Sequence, residues 1–296
     1  MSKICKQCPR QCGVDREDNI GFCGMQEQLK VAKAFLHMWE EPCISGTNGS
    51  GAVFFSGCNL KCIYCQNFDI SQNNYGKIIT VERLQKIFAE LMGKGAHNIN
   101  LVNPSHYTGA IKQALLSAKR KGILNVPVVY NTNGYESIDS LEEMEGLVDV
   151  YLPDFKYFSG DTAFNYSSAY DYPDICKKAI LEMFRQVGSP VLSSDGLISR
   201  GLIIRHLILP GHTKESTRIL DWISENLPKG VYVSLMSQYT PYYGADKHPE
   251  INRPITRREY ESVVNHLYKS GMEEGYVQER QSSDIKYIPD FNLEGV

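Results

Sequence analysis

The chain has 296 residues, 42% of them hydrophobic and 22% charged, with a formal net charge of -3. That length accommodates one large α/β domain or two small ones, and the mildly acidic balance excludes a nucleic-acid binder that depends on a broad basic face. No apolar run approaches the roughly 20 residues that span a bilayer, and the opening Met-Ser-Lys-Ile-Cys has no apolar signal core, so a cytoplasmic protein is expected.

Nine cysteines are the first anomaly. An odd number in a reducing compartment argues for metal ligation over disulfides. Residues 1–45 read as a small Cys-rich metal-binding lobe in which Cys5, Cys8, Cys12 and Cys23 form a complete four-thiolate set. Four thiolates without an open position favour a structural zinc, which would stabilise a lobe too small to fold unaided. An auxiliary iron–sulfur cluster that relays electrons is the alternative. Cys43 and Cys176 stand alone, Cys176 as a small buried hydrophobe on a helix.

Over residues 46–296 short apolar runs alternate with amphipathic stretches. Strands are expected at Ala52–Phe55, Asn98–Val102, Val126–Tyr130, Val148–Leu152, Leu202–Leu209 and Val231–Leu235, with helices near 81–93, 108–121, 137–146, 173–187, 214–226 and 256–270. Six strand-then-helix repeats define an α/β fold of parallel βα units with right-handed crossovers, a partial TIM-like (β/α)6 barrel. In such a barrel the chemistry sits just past the C-terminal strand ends, and here those ends are polar. They carry Cys58, Asn103 with His106, Asn131 with Asn133, Asp154 with Lys156, Arg205 with His206, and Gln238 with Tyr239. Ser189–Gly201 is expected as a hairpin extending the fifth strand, and residues 157–172 as a loop over the barrel mouth.

The most specific signal is Cys58-Asn-Leu-Lys-Cys62-Ile-Tyr64-Cys65, three thiols in one loop directly after a buried strand. A zinc loop completed by a distant residue is the bland reading. A four-iron cluster normally takes four thiolates, so three leave one iron open, and an open position marks a catalytic centre.

The spacing, the aromatic Tyr64 and the strand that feeds the loop resemble the radical S-adenosylmethionine (SAM) superfamily, closest to pyruvate formate-lyase activating enzyme-like proteins. The similarity runs from about residue 5 to about 280 and includes Glu40-Glu41-Pro42, Asp154-Phe155-Lys156 and Arg205-His206-Leu207. It implies that Cys58, Cys62 and Cys65 hold a 4Fe-4S cluster whose unique iron binds SAM. A single electron, from a flavodoxin- or ferredoxin-type donor, then yields methionine and a 5′-deoxyadenosyl radical that abstracts a substrate hydrogen. By the same resemblance Asn103 approaches the SAM amino group, where many relatives use Gly-Gly-Glu. Asn131 and Asn133 face ribose or substrate, Asp154 and Lys156 hold the ribose and carboxylate, Arg205 lies near the carboxylate, and Gln238 replaces a His of the activating enzymes.

Two reactions fit. One is C–N bond cleavage in a small molecule, as in the queuine lyase subgroup that releases a deazaguanine base. The other is a glycyl-radical activase acting on a partner protein. The position of the extra cysteines before the motif rather than after it favours the lyase, as do the covering loop 157–172 and the Tyr-rich tail, which suit a closed pocket. Tyr239, Tyr242 and Tyr243 are candidate pocket walls with simple packing as the alternative, and Glu279 is a candidate polar substrate contact.

Overall fold

The computed structural model describes residues 4–279 and 289–296. In chain order the strands are β1 (Lys30–His37), β2 (Ser50–Phe55), β3 (Lys77–Ile78), β4 (Ile99–Val102), β5 (Val128–Thr132), β6 (Val150–Pro153), β7 (Val191–Leu192), β8 (Ile198–Leu207), β9 (Tyr232–Met236) and β10 (Gly275–Val277). The helices are α1 (Pro42–Ser45), α2 (Phe68–Ser71), α3 (Val81–Gly93), α4 (Thr108–Arg120), α5 (Ile138–Glu142), α6 (Gly160–Ser167), α7 (Tyr172–Val187), α8 (Thr213–Asn226) and α9 (Arg257–Lys269). Capping fixes several starts. The Thr80 side chain accepts from the Arg83 amide ahead of α3, and Thr256 and Glu259 cap α9 reciprocally.

The sheet runs β10-β9-β8-β6-β5-β4-β2-β1-β3. From β2 to β10 the pairs are parallel, as the βα pattern requires. All six expected strands are present, and the sheet stays open. Two additions escaped the sequence. A short seventh parallel strand, β10, lies beyond β9, and β1 pairs antiparallel with β2 through Val31↔Phe55 to His37↔Ser50. The sheet therefore reaches back to Lys30, inside the segment assigned to the N-terminal lobe, and the division at residue 45 is a proposal about folding units. The hairpin is where it was expected, as β7 against β8. Among the described residues no helix is long and apolar enough to cross a membrane.

Residues 157–172 are not a loop over the mouth. Ser159 caps α6 through the Thr162 amide. The α6 carbonyls of Tyr166 and Ser167 accept from the amides of Ile63 and Lys61, so the segment backs the cysteine loop.

His106 and His206 are also not at the mouth; both are buried at 2% exposure. His206 lies between the Phe155 carbonyl (2.7 Å) and the Ser216 hydroxyl (2.8 Å), and burial lowers its pKa to about 4. An unfolded histidine titrates near 6.5. Between these values the unfolded chain binds a proton that the native chain refuses, so stability rises with pH there. This contribution is complete above pH 6.5 and lost as pH falls to 4. Urea unfolding of His206→Gln should show the fall in stability between pH 6.5 and 4 reduced by about 3 kcal/mol relative to the parent. An unchanged pH slope would exclude His206 as the source.

Candidate active site

The cysteine loop leaves β2 through Ser56 and Gly57. Gly57 has φ +85°, and a Cβ there would lie 2.4 Å from Met25 Cγ and 2.8 Å from the Cys23 carbonyl oxygen. Only glycine admits this approach, and it lets the Cys58 amide donate to the Cys23 carbonyl at 3.1 Å. Each thiol of the loop has a polar neighbour. Cys58 Sγ lies 3.4 Å from the Leu60 amide and 3.4 Å from Asn133 Nδ2, Cys62 Sγ is 2.9 Å from Ser167 Oγ, and Cys65 Sγ is 3.2 Å from Ser71 Oγ. Burial, with Cys62 close by, pushes the Cys58 thiol up to about 11 and the Cys65 thiol up to about 12. Protons must leave these thiols when a metal binds.

Cys62 and Cys65 open onto a cavity of about 430 Å³ at the C-terminal strand ends, within the roughly 300–1,000 Å³ range of small-molecule pockets. Its walls include Tyr64, Asn131, Asp154, Lys156, Arg205, Gln238 and Tyr239, together with His37, Glu40, Glu41 and Gln278. Among the described residues no three Cys, His, Asp or Glu side chains close to the spacing of a single ion. A four-iron cube spreads its thiolates more widely than one ion does, and three sulfurs with polar donors beside an open polar chamber fit it.

A continuous ionic chain lines this chamber. Lys156 Nζ is 2.6 Å from Asp154 Oδ2, and Arg205 Nε is 2.8 Å from Asp154 Oδ1. Arg205 also reaches Glu40 Oε2 at 3.2 Å and donates to Asn131 Oδ1 at 2.6 Å; Asn131 and Asn100 both donate to Glu40 Oε1. Burial alone would raise Asp154, but Arg205 and Lys156 hold its carboxyl below the usual range. Burial opposes the charge of Lys156 as well, and Asp154 more than offsets it. Glu40 and Glu41 are raised by burial, because Arg205 is shared among three carboxylates and cannot neutralise them all.

Of the expected site residues, Cys62, Cys65, Tyr64, Asn131, Asp154, Lys156, Arg205 and Gln238 meet at this cavity. Asn103 and Asn133 turn to the cysteine loop. Asn103, at φ +59°, donates from Nδ2 to the Gly57 carbonyl at 2.5 Å, and its Oδ1 lies 3.8 Å from Cys58 Sγ. Asn133 Nδ2 also bonds Asn59 Oδ1 at 2.7 Å. Tyr64 is anchored by Tyr157 at 2.6 Å. Tyr242 lines a neighbouring cleft, Tyr243 stacks on Phe68, and Glu279 is exposed, its carbonyl accepting from Ser237 Oγ. Sequence reasoning passed over Ser167, Gln278 and the two glutamates; the Glu40-Glu41-Pro42 run was visible as a match without an assigned role.

The four N-terminal cysteines lie close together. Cys8 and Cys23 are buried, Cys5 and Cys12 half-buried. A Cβ on Gly21 would sit 3.4 Å from Cys23 Sγ and 3.5 Å from Cys12 Sγ, so these two sulfurs flank the same glycine. Burial pushes Cys8 up to about 12, with Cys23 and Cys5 adding to it. Arg10 clasps this lobe to the active-site loop, donating to the carbonyls of Asn59 (2.8 Å) and Ser168 (2.6 Å).

Residues 52–223 match the Radical SAM superfamily, and the chain belongs to that family. It is 34% identical over 272 residues to an uncharacterized protein of Methanocaldococcus jannaschii, covering 88% of this chain and 73% of that one. It is 26% identical over 231 residues to a pyruvate formate-lyase-activating enzyme of Clostridium pasteurianum, covering 74% and 87%. Its fold matches Streptococcus suis SuiB bound to S-adenosylmethionine with a TM-score of 0.52 at 14% identity, covering 75% of this chain. The chain spans about half of that larger protein, 48%, and the likeness is one of fold. Family membership brings SAM-dependent radical chemistry and, with it, SAM and a 4Fe-4S cluster.

Proposed function

We propose that this chain uses its radical chemistry to cleave a C–N bond in a small molecule, with queuine as the candidate substrate. The cavity supports this reading most: a chamber of about 430 Å³ whose polar walls come from several strand ends. Cys58, Cys62 and Cys65 would hold the cluster, which when bound delivers one electron, from a flavodoxin- or ferredoxin-type donor, to cleave SAM. Asp154 and Lys156 would orient SAM, and Arg205 would hold Asp154 in place. Asn103 and Asn133 would fix Cys58 rather than touch SAM. Gln238 and Gln278, 3.3 Å apart through their amides, present donors and acceptors that suit the hydrogen-bonding edge of a purine-like base. Cys5, Cys8, Cys12 and Cys23 would hold zinc or a second iron–sulfur cluster.

The second reading, a glycyl-radical activase, is favoured by the similarity to the Clostridium pasteurianum enzyme. Reduced protein with SAM separates the two. Queuine should raise 5′-deoxyadenosine formation at least about tenfold, a change of roughly 1.4 kcal/mol in barrier. No stimulation by queuine, with a glycyl radical appearing in a co-expressed partner, would exchange the first reading for the second.

A further inference from the structure

The cavity wall carries more negative than positive side-chain charge. Among the described residues Asp154, Glu40 and Glu41 face Lys156 and Arg205, three carboxylates against two cations. His37 does not redress this, since burial, with Arg205 nearby, lowers its pKa to about 4 and leaves it neutral. Asp154 is satisfied by both cations, and Glu40 by Arg205, Asn100 and Asn131. Glu41 differs. It is 8% exposed, it lines the cavity, and its Oε2 has no hydrogen-bond partner among the described residues. A buried carboxylate oxygen without a donor is costly to keep. It persists where a ligand supplies what the protein withholds.

We propose that Glu41, with Glu40 beside it, forms a subsite for a protonated amine of the substrate. An ammonium answers both deficits at once: it donates to Oε2 and cancels the surplus charge, whereas a hydroxyl or amide can only donate. Burial pulls both glutamates upward, so either is costly to keep charged without a cation beside it. The inference rests on the reading of this cavity as the substrate chamber, and it stands whether or not the substrate is queuine.

The test uses iron-loaded protein with SAM bound, titrated anaerobically with benzylamine and with benzyl alcohol and followed by ligand-observed NMR. Benzylamine should bind at least about tenfold more tightly than the alcohol, roughly 1.4 kcal/mol, and Glu41→Gln should erase that difference while SAM affinity is kept. Because the substitution removes one of three buried carboxylates that share Arg205, and one whose Oε2 lacks a donor, the melting temperature of Glu41→Gln without ligand should equal or exceed that of the parent. Equal binding of the two probes by the parent overturns the subsite. So does a preference that survives Glu41→Gln, a loss of SAM affinity in its place, or a lowered melting temperature, which would mark Glu41 as structural. Amine preference without stimulation by queuine removes only the queuine reading. Queuine stimulation that Glu41→Gln leaves untouched removes only the subsite.

Discussion

Cys62→Ala is expected to abolish 5′-deoxyadenosine formation and the brown charge-transfer absorbance of the reconstituted protein, with iron falling well below about four per loop site. Cys62 has a foot in two structures. It opens onto the cavity, and its sulfur accepts from Ser167 on α6, the helix that backs the loop. Its neighbour Ser167 is a poor substitute, because it offers a hydroxyl where a soft thiolate is needed. Cys176→Ala is the control. That thiol is fully buried against the Asp154 carbonyl, 3.7 Å away, and its loss should leave iron content unchanged. Ser167→Ala should be milder, weakening cluster retention by about 10- to 100-fold through a lost outer hydrogen bond. If Cys62→Ala kept its iron and colour, the three-thiolate reading would collapse.

The second large effect is expected from Arg205→Met. Arg205 sits at the crossing of the ionic chain, with each of its three nitrogens already donating, to Asp154, Glu40 and Asn131. It is thus a positioning residue for Asp154 more than a direct clamp on the SAM carboxylate. Removing it leaves Glu40, Glu41 and Asp154 with Lys156 as the remaining cation on this wall among the described residues. Breaking a buried pair from one side costs about 3–5 kcal/mol, mostly from the charge left behind. At roughly 2 °C per kcal/mol for a chain of this size, the melting temperature should drop by roughly 6–10 °C. Combining it with Glu40→Gln should restore part of the loss, since the two groups share one network. A full additive loss in the double variant would show that Arg205 acts elsewhere.

The parallel strands were legible because each is a short apolar run followed by polar residues and an amphipathic helix, as at Val128–Thr132 with Asn133. Strand β1 was hidden by its company: Lys30–His37 follows a cysteine-rich stretch and carries Lys33, whose buried stem and amine reach the Asp290 carbonyl at 2.8 Å. Nothing local announces that long-range partner. Helix α6 was missed because Gly160–Ser167 is rich in turn formers, and its stability comes from Ser159 and from packing under the cysteine loop. Strand position showed that Asn103 and Asn133 belong near the site. Their turn toward Cys58 follows from the left-handed backbone at Asn103 and from the Asn59 partner, which spacing does not encode. Asp154, Lys156 and Arg205 were readable as a group, since adjacent parallel strands bring their ends together.

The clasp made by Arg10 has a consequence for how the protein matures. Its partners, Asn59 and Ser168, lie 49 and 158 positions further along, so the Arg10 side chain leaves the ribosome well before the residues it engages. Contacts of such long sequence separation form late. A cluster nest at this loop would therefore be finished only once α6 has been made, and metal delivery would follow the synthesis of that helix.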